Sequence, residues 1–138
     1  MSPGAELWML IRDTLKADTA VMELVDSIFD KVPDNPWKAK RAYISRGPFY
    51  AVDDGADCID GQEFTIQIDI WSRKTDRWSC DEIVEAVRKA LDERDLQLSE
   101  NALAGIRVGL TRVFDDPDEL TIHGIVQVIA RVEIPEGT

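Results

Sequence analysis

The chain has 138 residues, 27 acidic against 16 basic side chains and a formal net charge of −11. That length suits one domain, 1–138, with a core that needs no staples. The acidic balance argues against sequence-independent nucleic-acid binding, which draws its affinity from Lys and Arg neutralising phosphates, and no apolar run approaches the ~20 residues of a membrane span.

The N-terminal stretch Met1-Ser2-Pro3-Gly4-Ala5-Glu6 has no basic segment leading into an apolar one, so it does not read as a secretory signal. Cys58 and Cys80 are therefore expected to be free thiols in a reducing compartment. Residues 6–15 predict a first helix, with Leu7, Leu10, Ile11 and Leu15 at helical spacing and Pro3 suited to its first turn. Asp18 can cap a second short helix carrying Val21, Leu24 and Val25. Pro33 and Pro36 impose a loop. A strand at 41–45 is closed by Gly47-Pro48, and the Gly- and Asp-rich segment 49–62 reads as a mobile loop. Phe64, Ile66, Ile68 and Ile70 alternate with Thr65, Gln67, Asp69 and Trp71, the pattern of a strand with one buried face.

Ser79-Cys80-Asp81-Glu82 has the form of a capping box, and the helix behind it buries Ile83, Val84, Val87 and Leu91. Leu96-Gln97-Leu98 is a candidate edge strand. A hairpin of 106–114 with 121–134 closes the domain, its turn the acidic run Asp115-Asp116-Pro117-Asp118-Glu119. The second arm is long enough for part of it to extend beyond the first. The fold class is α+β: a mostly antiparallel sheet with N-terminal helices and one main helix packed on it.

Motifs for chemistry are missing. Ser45 lacks the first glycine of a nucleophile elbow, and no phosphate-cradling loop occurs. One His and two separated Cys do not make a zinc site. Asp115, Asp116, Asp118 and Glu119 reach a Mg²⁺ or Ca²⁺ only in principle; the plainer reading is a turn whose Asp side chains accept local amides. His123 opens the final strand with its ring bonded to that turn, and Gly124 behind it allows close backbone approach.

Charge is segregated in part. Lys31, Lys38, Lys40, Arg41 and Arg46 form one basic stretch, and Arg73, Lys74 and Arg77 another, with Asp53, Asp54, Asp57, Asp60 and Glu63 between them. Solubility explains this; so does complementarity between copies. Trp71 and Trp78 lie beside Arg73 and Arg77, and Trp and Arg are common interface anchors. Core cover and subunit contact both fit.

Three segments in order are similar to the small phage and prophage tail-completion proteins: Leu15-Lys16-Ala17-Asp18 with Ile28-Phe29-Asp30-Lys31-Val32-Pro33, then Ile68-Asp69-Ile70-Trp71-Ser72-Arg73, then the run from Val113 through Asp115-Asp116-Pro117 to His123-Gly124. The likeness spans roughly residues 6–132; residues 47–61 match nothing. The resemblance implies a tail terminator or minor tail protein of a long-tailed phage, prophage or phage-derived particle. Such proteins form a ring, typically six-fold, that ends the tail tube and meets the head connector. Implied partners are other copies of the chain, tail-tube protein and a head connector or neck protein. Neither catalytic residue, metal nor cofactor is implied, no membrane is involved, and DNA passes only in transit. The location implied is the virion tail, and the host cytoplasm during assembly. On this reading Trp71, Arg73, Lys74, Arg77 and Trp78, with acidic Asp53, Asp54, Asp57, Asp115 and Asp116, are the interface candidates. Alternatives are a head-closure or neck adaptor, an acid-metal hydrolase using Asp115, Asp116, Asp118 and His123, and an unrelated small binding module.

Overall fold

The computed structural model describes residues 1–55 and 60–135. Its helices are α1 (Pro3–Ala17), α2 (Thr19–Met22) and α3 (Arg77–Leu91), and its strands β1 (Ile28–Phe29), β2 (Ala42–Asp53), β3 (Asp60–Ser72), β4 (Ala102–Asp115) and β5 (Ile122–Ile134). The class is α+β. Among the described residues no helix is long and apolar enough to cross a membrane.

Local chemistry sets the helix starts. Ser2 Oγ accepts the Ala5 amide at 3.2 Å, and Pro3 sits where a missing N–H leaves nothing unpaired. Asp18 caps α2 by accepting the Val21 amide at 3.0 Å. That helix is shorter than expected: Leu24 and Val25 follow its end, Val25 fully buried. Helix α3 starts before the expected cap. Asp76, not Ser79, is the N-cap; its carboxylate accepts the Ser79 amide at 2.8 Å and the Ser79 hydroxyl at 3.0 Å. Both residues carry a short acceptor, and the longer helix uses the earlier one.

The five strands form one sheet in the order β1-β2-β3-β5-β4. The β1–β2 pair is parallel and the others are antiparallel. Strand β5 is interior, matched along its length by β3 and β4. Its long arm therefore does not overhang, because β4 begins at Ala102 and not at Ile106. Residues 96–98 form no strand; Leu96 and Leu98 pack against the core from a loop.

Residues 49–53 and 60–62 are also not loop. They continue β2 and β3, with Phe49 opposite Ile66 and Asp53 opposite Gln62. The Gly47-Pro48 pair does not end β2: the register shifts between Arg46 and Phe49, so the proline sits in a bulge, where a strand tolerates a residue without an N–H. Cys58 and Asp57 lie outside the described residues.

Alternation along the strands defines two faces. Phe64, Ile66, Ile68 and Ile70 of β3 join Val126, Val128, Ala130 and Val132 of β5 on one face. Against it lie Leu7, Ile11 and Leu15 of α1 and Ile83, Val84 and Val87 of α3. Gly124 is where α3 comes nearest the sheet: a Cβ there would stand 2.7 Å from Val84 Cγ2 and 3.1 Å from Cys80 Sγ. Glu6 is a buried acid at the edge of this layer. Its carboxylate accepts from Ser99 Oγ (3.0 Å), the Glu100 amide (2.6 Å) and both the amide (3.1 Å) and Nδ2 (3.0 Å) of Asn101. Burial raises its pKa, and the hydrogen bonds outweigh that and hold it below the usual glutamate value.

Candidate assembly surface

The face opposite the helices carries a row of rings. Tyr43 of β2 pairs with Trp71 of β3, Trp71 with His123 of β5, and His123 with Phe114 of β4. Directly paired residues point to the same face, so their side chains meet. Trp71 stacks on His123 with centroids 3.8 Å apart and planes 16° apart. Phe114 lies 4.8 Å from His123 on the other side. Trp37 extends the row, edge-on to Tyr43 at 4.9 Å. A guanidinium closes each end, Arg73 over Trp37 at 4.4 Å and Arg112 over Phe114 at 4.9 Å.

The polar atoms under this row are paired laterally. Trp71 Nε1–H donates to Ser45 Oγ at 3.0 Å. Asp69, buried, accepts from Gln67 Nε2 at 2.8 Å and faces His123 Nε2 at 2.7 Å. Thus the His123 ring bonds Asp69 in the neighbouring strand rather than the turn. Gly47 leaves room for this carboxylate, since a Cβ there would stand 2.5 Å from Asp69 Oδ2. His123 and Asp69 thus share a hydrogen bond, and Ser45, opposite Asp69 in the register, takes the indole N–H of Trp71.

The acidic turn is built by its own carboxylates. Asp118 Oδ1 accepts the Leu120 and Thr121 amides, both at 2.9 Å, and Oδ2 accepts the Thr121 hydroxyl at 2.8 Å. The Thr121 hydroxyl bond, with these amides and nearby Arg73, lowers the Asp118 pKa. The Asp116 amide donates to the Thr121 carbonyl at 2.9 Å. Glu119 takes a positive φ of 62° to close the turn.

Of the residues singled out in the sequence, Trp71, Arg73, Lys74, Arg77, Trp78, Asp115 and Asp116 come together at this end of the sheet. They differ in what they face. Arg73 is held by Thr121 Oγ1 (3.2 Å), Asp118 (3.7 Å) and the Trp37 ring. Lys74 Nζ donates to the Leu24 carbonyl at 3.3 Å. With Trp71 they belong to the framework. Arg77 and Asp115 make an exposed ion pair at 2.8 Å, and the Trp78 side chain stands free at 71% exposure.

Asp53 and Asp54 lie at the opposite end. Across the twelve residues of β2 that is on the order of 35 Å away. Asp53 accepts the Gly55 amide at 3.2 Å, and Asp54 pairs with Arg131. Asp60, Glu63 and Glu133 are near them in the register, which leaves this tip rich in acid. Phe49, Tyr50 and Val52 on the same arm are exposed at 48%, 59% and 54%. Sequence reading missed this apolar arm, whose only signal was the short run of Phe, Tyr and Val inside an apparent loop. Cys80 is free and buried, its thiol pushed up to about 12 by burial and then by Asp81, so it is unreactive at neutral pH.

A chain from a solved structure described as the virion of a native gene transfer agent particle superposes with a TM-score of 0.85, over 94% of this chain and 96% of that one, at 24% identity. At that identity the likeness is one of fold. No curated protein matches the chain. The sequence profile described as tail completion protein gp17 matches residues 9–133, nearly the whole of the sheet and its helices. The chain belongs to that tail completion family, whose members are structural components of phage-type tails.

Proposed function

We propose that the protein is a subunit of a closed, six-fold ring that ends the tail tube at its head-proximal side and joins it to the head connector. It makes and breaks no covalent bond. The observation that supports this most is the polarity of the long sheet. One end carries the exposed Trp78 with the Arg77–Asp115 pair and the self-bonded acidic turn; the other is the β2–β3 arm, with Phe49, Tyr50 and Val52 exposed and Asp53 and Asp54 at its tip. Two unlike surfaces on one subunit make head-to-tail contacts, and such contacts close into a ring when the rotation per copy divides a full turn.

Each contact needs roughly 800 Å² per partner to persist. Exposed apolar groups supply the binding energy, while rim charges set register and association rate. Excess acid turned toward the lumen keeps DNA from sticking during transit. Sedimentation and negative-stain microscopy, with and without tail-tube protein, test the reading. Rings, or caps on tube ends, are the expected result; a protein that stays monomeric and ignores tubes removes it.

A further inference from the structure

A cavity of about 420 Å³ lies beside the first turn of α1, with Ala5, Trp8, Met9 and Phe49 as its apolar wall and Arg12, Arg46 and Asp30 at its rim. Trp8 is only 6% exposed, and its Nε1 is a buried donor with no partner among the described residues. A donor left so costs about 1–3 kcal/mol, and native structures seldom leave one without reason. The pocket thus has an apolar wall and a rim on which Arg12 and Arg46 stand beside their acidic partners Asp13 and Asp30, next to a helix N-terminus.

At the other side of the molecule stands the reverse shape. Trp78 projects from the first turn of α3, and Asp81 and Glu82, three and four residues on, share its side of the helix and are exposed. Helix α3 packs over β4 and β5, whereas the pocket adjoins Phe49 and Arg46 of β2, toward the opposite edge of the sheet. One molecule cannot bring the two together, but two copies related head to tail can.

From this pairing of an indole flanked by carboxylates with an apolar hole flanked by guanidinium groups, we infer that Trp78 of one copy seats in the Trp8–Met9–Phe49 pocket of the next. Asp81 or Glu82 then meets Arg12 or Arg46 at the rim. The inference rests on the ring reading and assigns its subunit contact. The Arg46–Asp30 pair at 2.6 Å and the Arg12–Asp13 pair at 3.1 Å hold the rim arginines in place beforehand.

Two proteins in a Cys58→Ser background that keeps the buried Cys80 test this, one adding Trp78→Cys and the other Met9→Cys. Both positions are partly or well exposed, so folding is retained. Mixed and oxidised, they should give a cross-linked heterodimer that neither gives alone. Trp78→Ala should weaken self-association about thirtyfold, the mark of a central aromatic anchor. Rings that form normally with Trp78→Ala and do not cross-link overturn this contact and leave the ring reading intact. Wild-type protein that never assembles, even with tube protein, overturns both. Cross-linking within each protein alone marks a symmetric contact and overturns the head-to-tail assignment.

Discussion

On the helical side of the sheet, Ile66, Ile68, Ile70, Val126 and Val128 meet α1 and α3 through carbon alone. On the other side, Trp71, His123, Asp69 and Gln67 meet one another through stacked rings and hydrogen bonds within the sheet. The first face needs a cover and has one. The second keeps its shape without a cover, because each ring leans on a cross-strand neighbour and each buried polar atom bonds sideways. A face organised in this way is rigid but offers little unsatisfied surface to a partner. The groups left to bind one are those that project past it: Trp78, and Phe49, Tyr50 and Val52 on the β2–β3 arm.

The largest effect should come from forcing the helical face apart. Gly124→Val places a side chain where a Cβ already stands 2.7 Å from Val84 Cγ2. Overpacking against both a helix and the Ile70 strand is expected to cost about 3 kcal/mol, read by chemical denaturation. An unchanged midpoint would mean that α3 rides further from the sheet than its contacts indicate.

Next comes the acid that ties the helical layer down. Glu6→Ala leaves the donors of residues 99–101 unpaired and should cost about 2–3 kcal/mol. The sign with pH follows from its lowered pKa. The unfolded chain takes up the proton first, so the contribution is whole above the ordinary value of 4.5 and is lost as pH falls below it through the folded value. The stability gap between wild type and Glu6→Gln should therefore narrow on acidification. A gap that widens instead contradicts the assignment.

Much of the helical face was legible in the sequence, since period 2 in β3 and period 3.6 in α3 mark a buried side without knowledge of neighbours. Glu6 was not, because a buried glutamate is recognised only by donors that lie more than ninety residues away in the chain. The aromatic row was half legible. Alternation placed Trp71 away from the core, but its stack on His123 depends on a register set across 51 intervening positions. Strand β1 is two residues long and carries no periodicity to detect. The Gly47-Pro48 bulge was misread for a physical reason: a glycine and a proline that together end most strands here absorb a register shift beside Asp69.

The open face should yield less than the closed one. Trp71→Ala removes the stack on His123 and the bond to Ser45, and is expected to cost about 2 kcal/mol while leaving the helical core intact. Far-ultraviolet circular dichroism should stay native as the denaturation midpoint falls. If instead the midpoint holds, the row is ornament on a sheet that the helices alone stabilise.

The smallest effect on folding and the clearest effect on assembly should meet in Arg77→Glu. Its partner Asp115 is itself exposed, and exposed ion pairs contribute little to stability, so the melting curve should barely move. Arg73 is a poor choice for the same test, because Thr121, Asp118 and the Trp37 ring all depend on it. If the rim of this end meets an acidic tip such as Asp53 and Asp54, reversing Arg77 should slow association several-fold at low salt and much less at high salt, since rim charges act mainly through the encounter. A loss of assembly that ignores salt would instead place Arg77 inside a desolvated contact. Unaltered kinetics would leave Trp78 and its neighbouring carboxylates as the working part of this end.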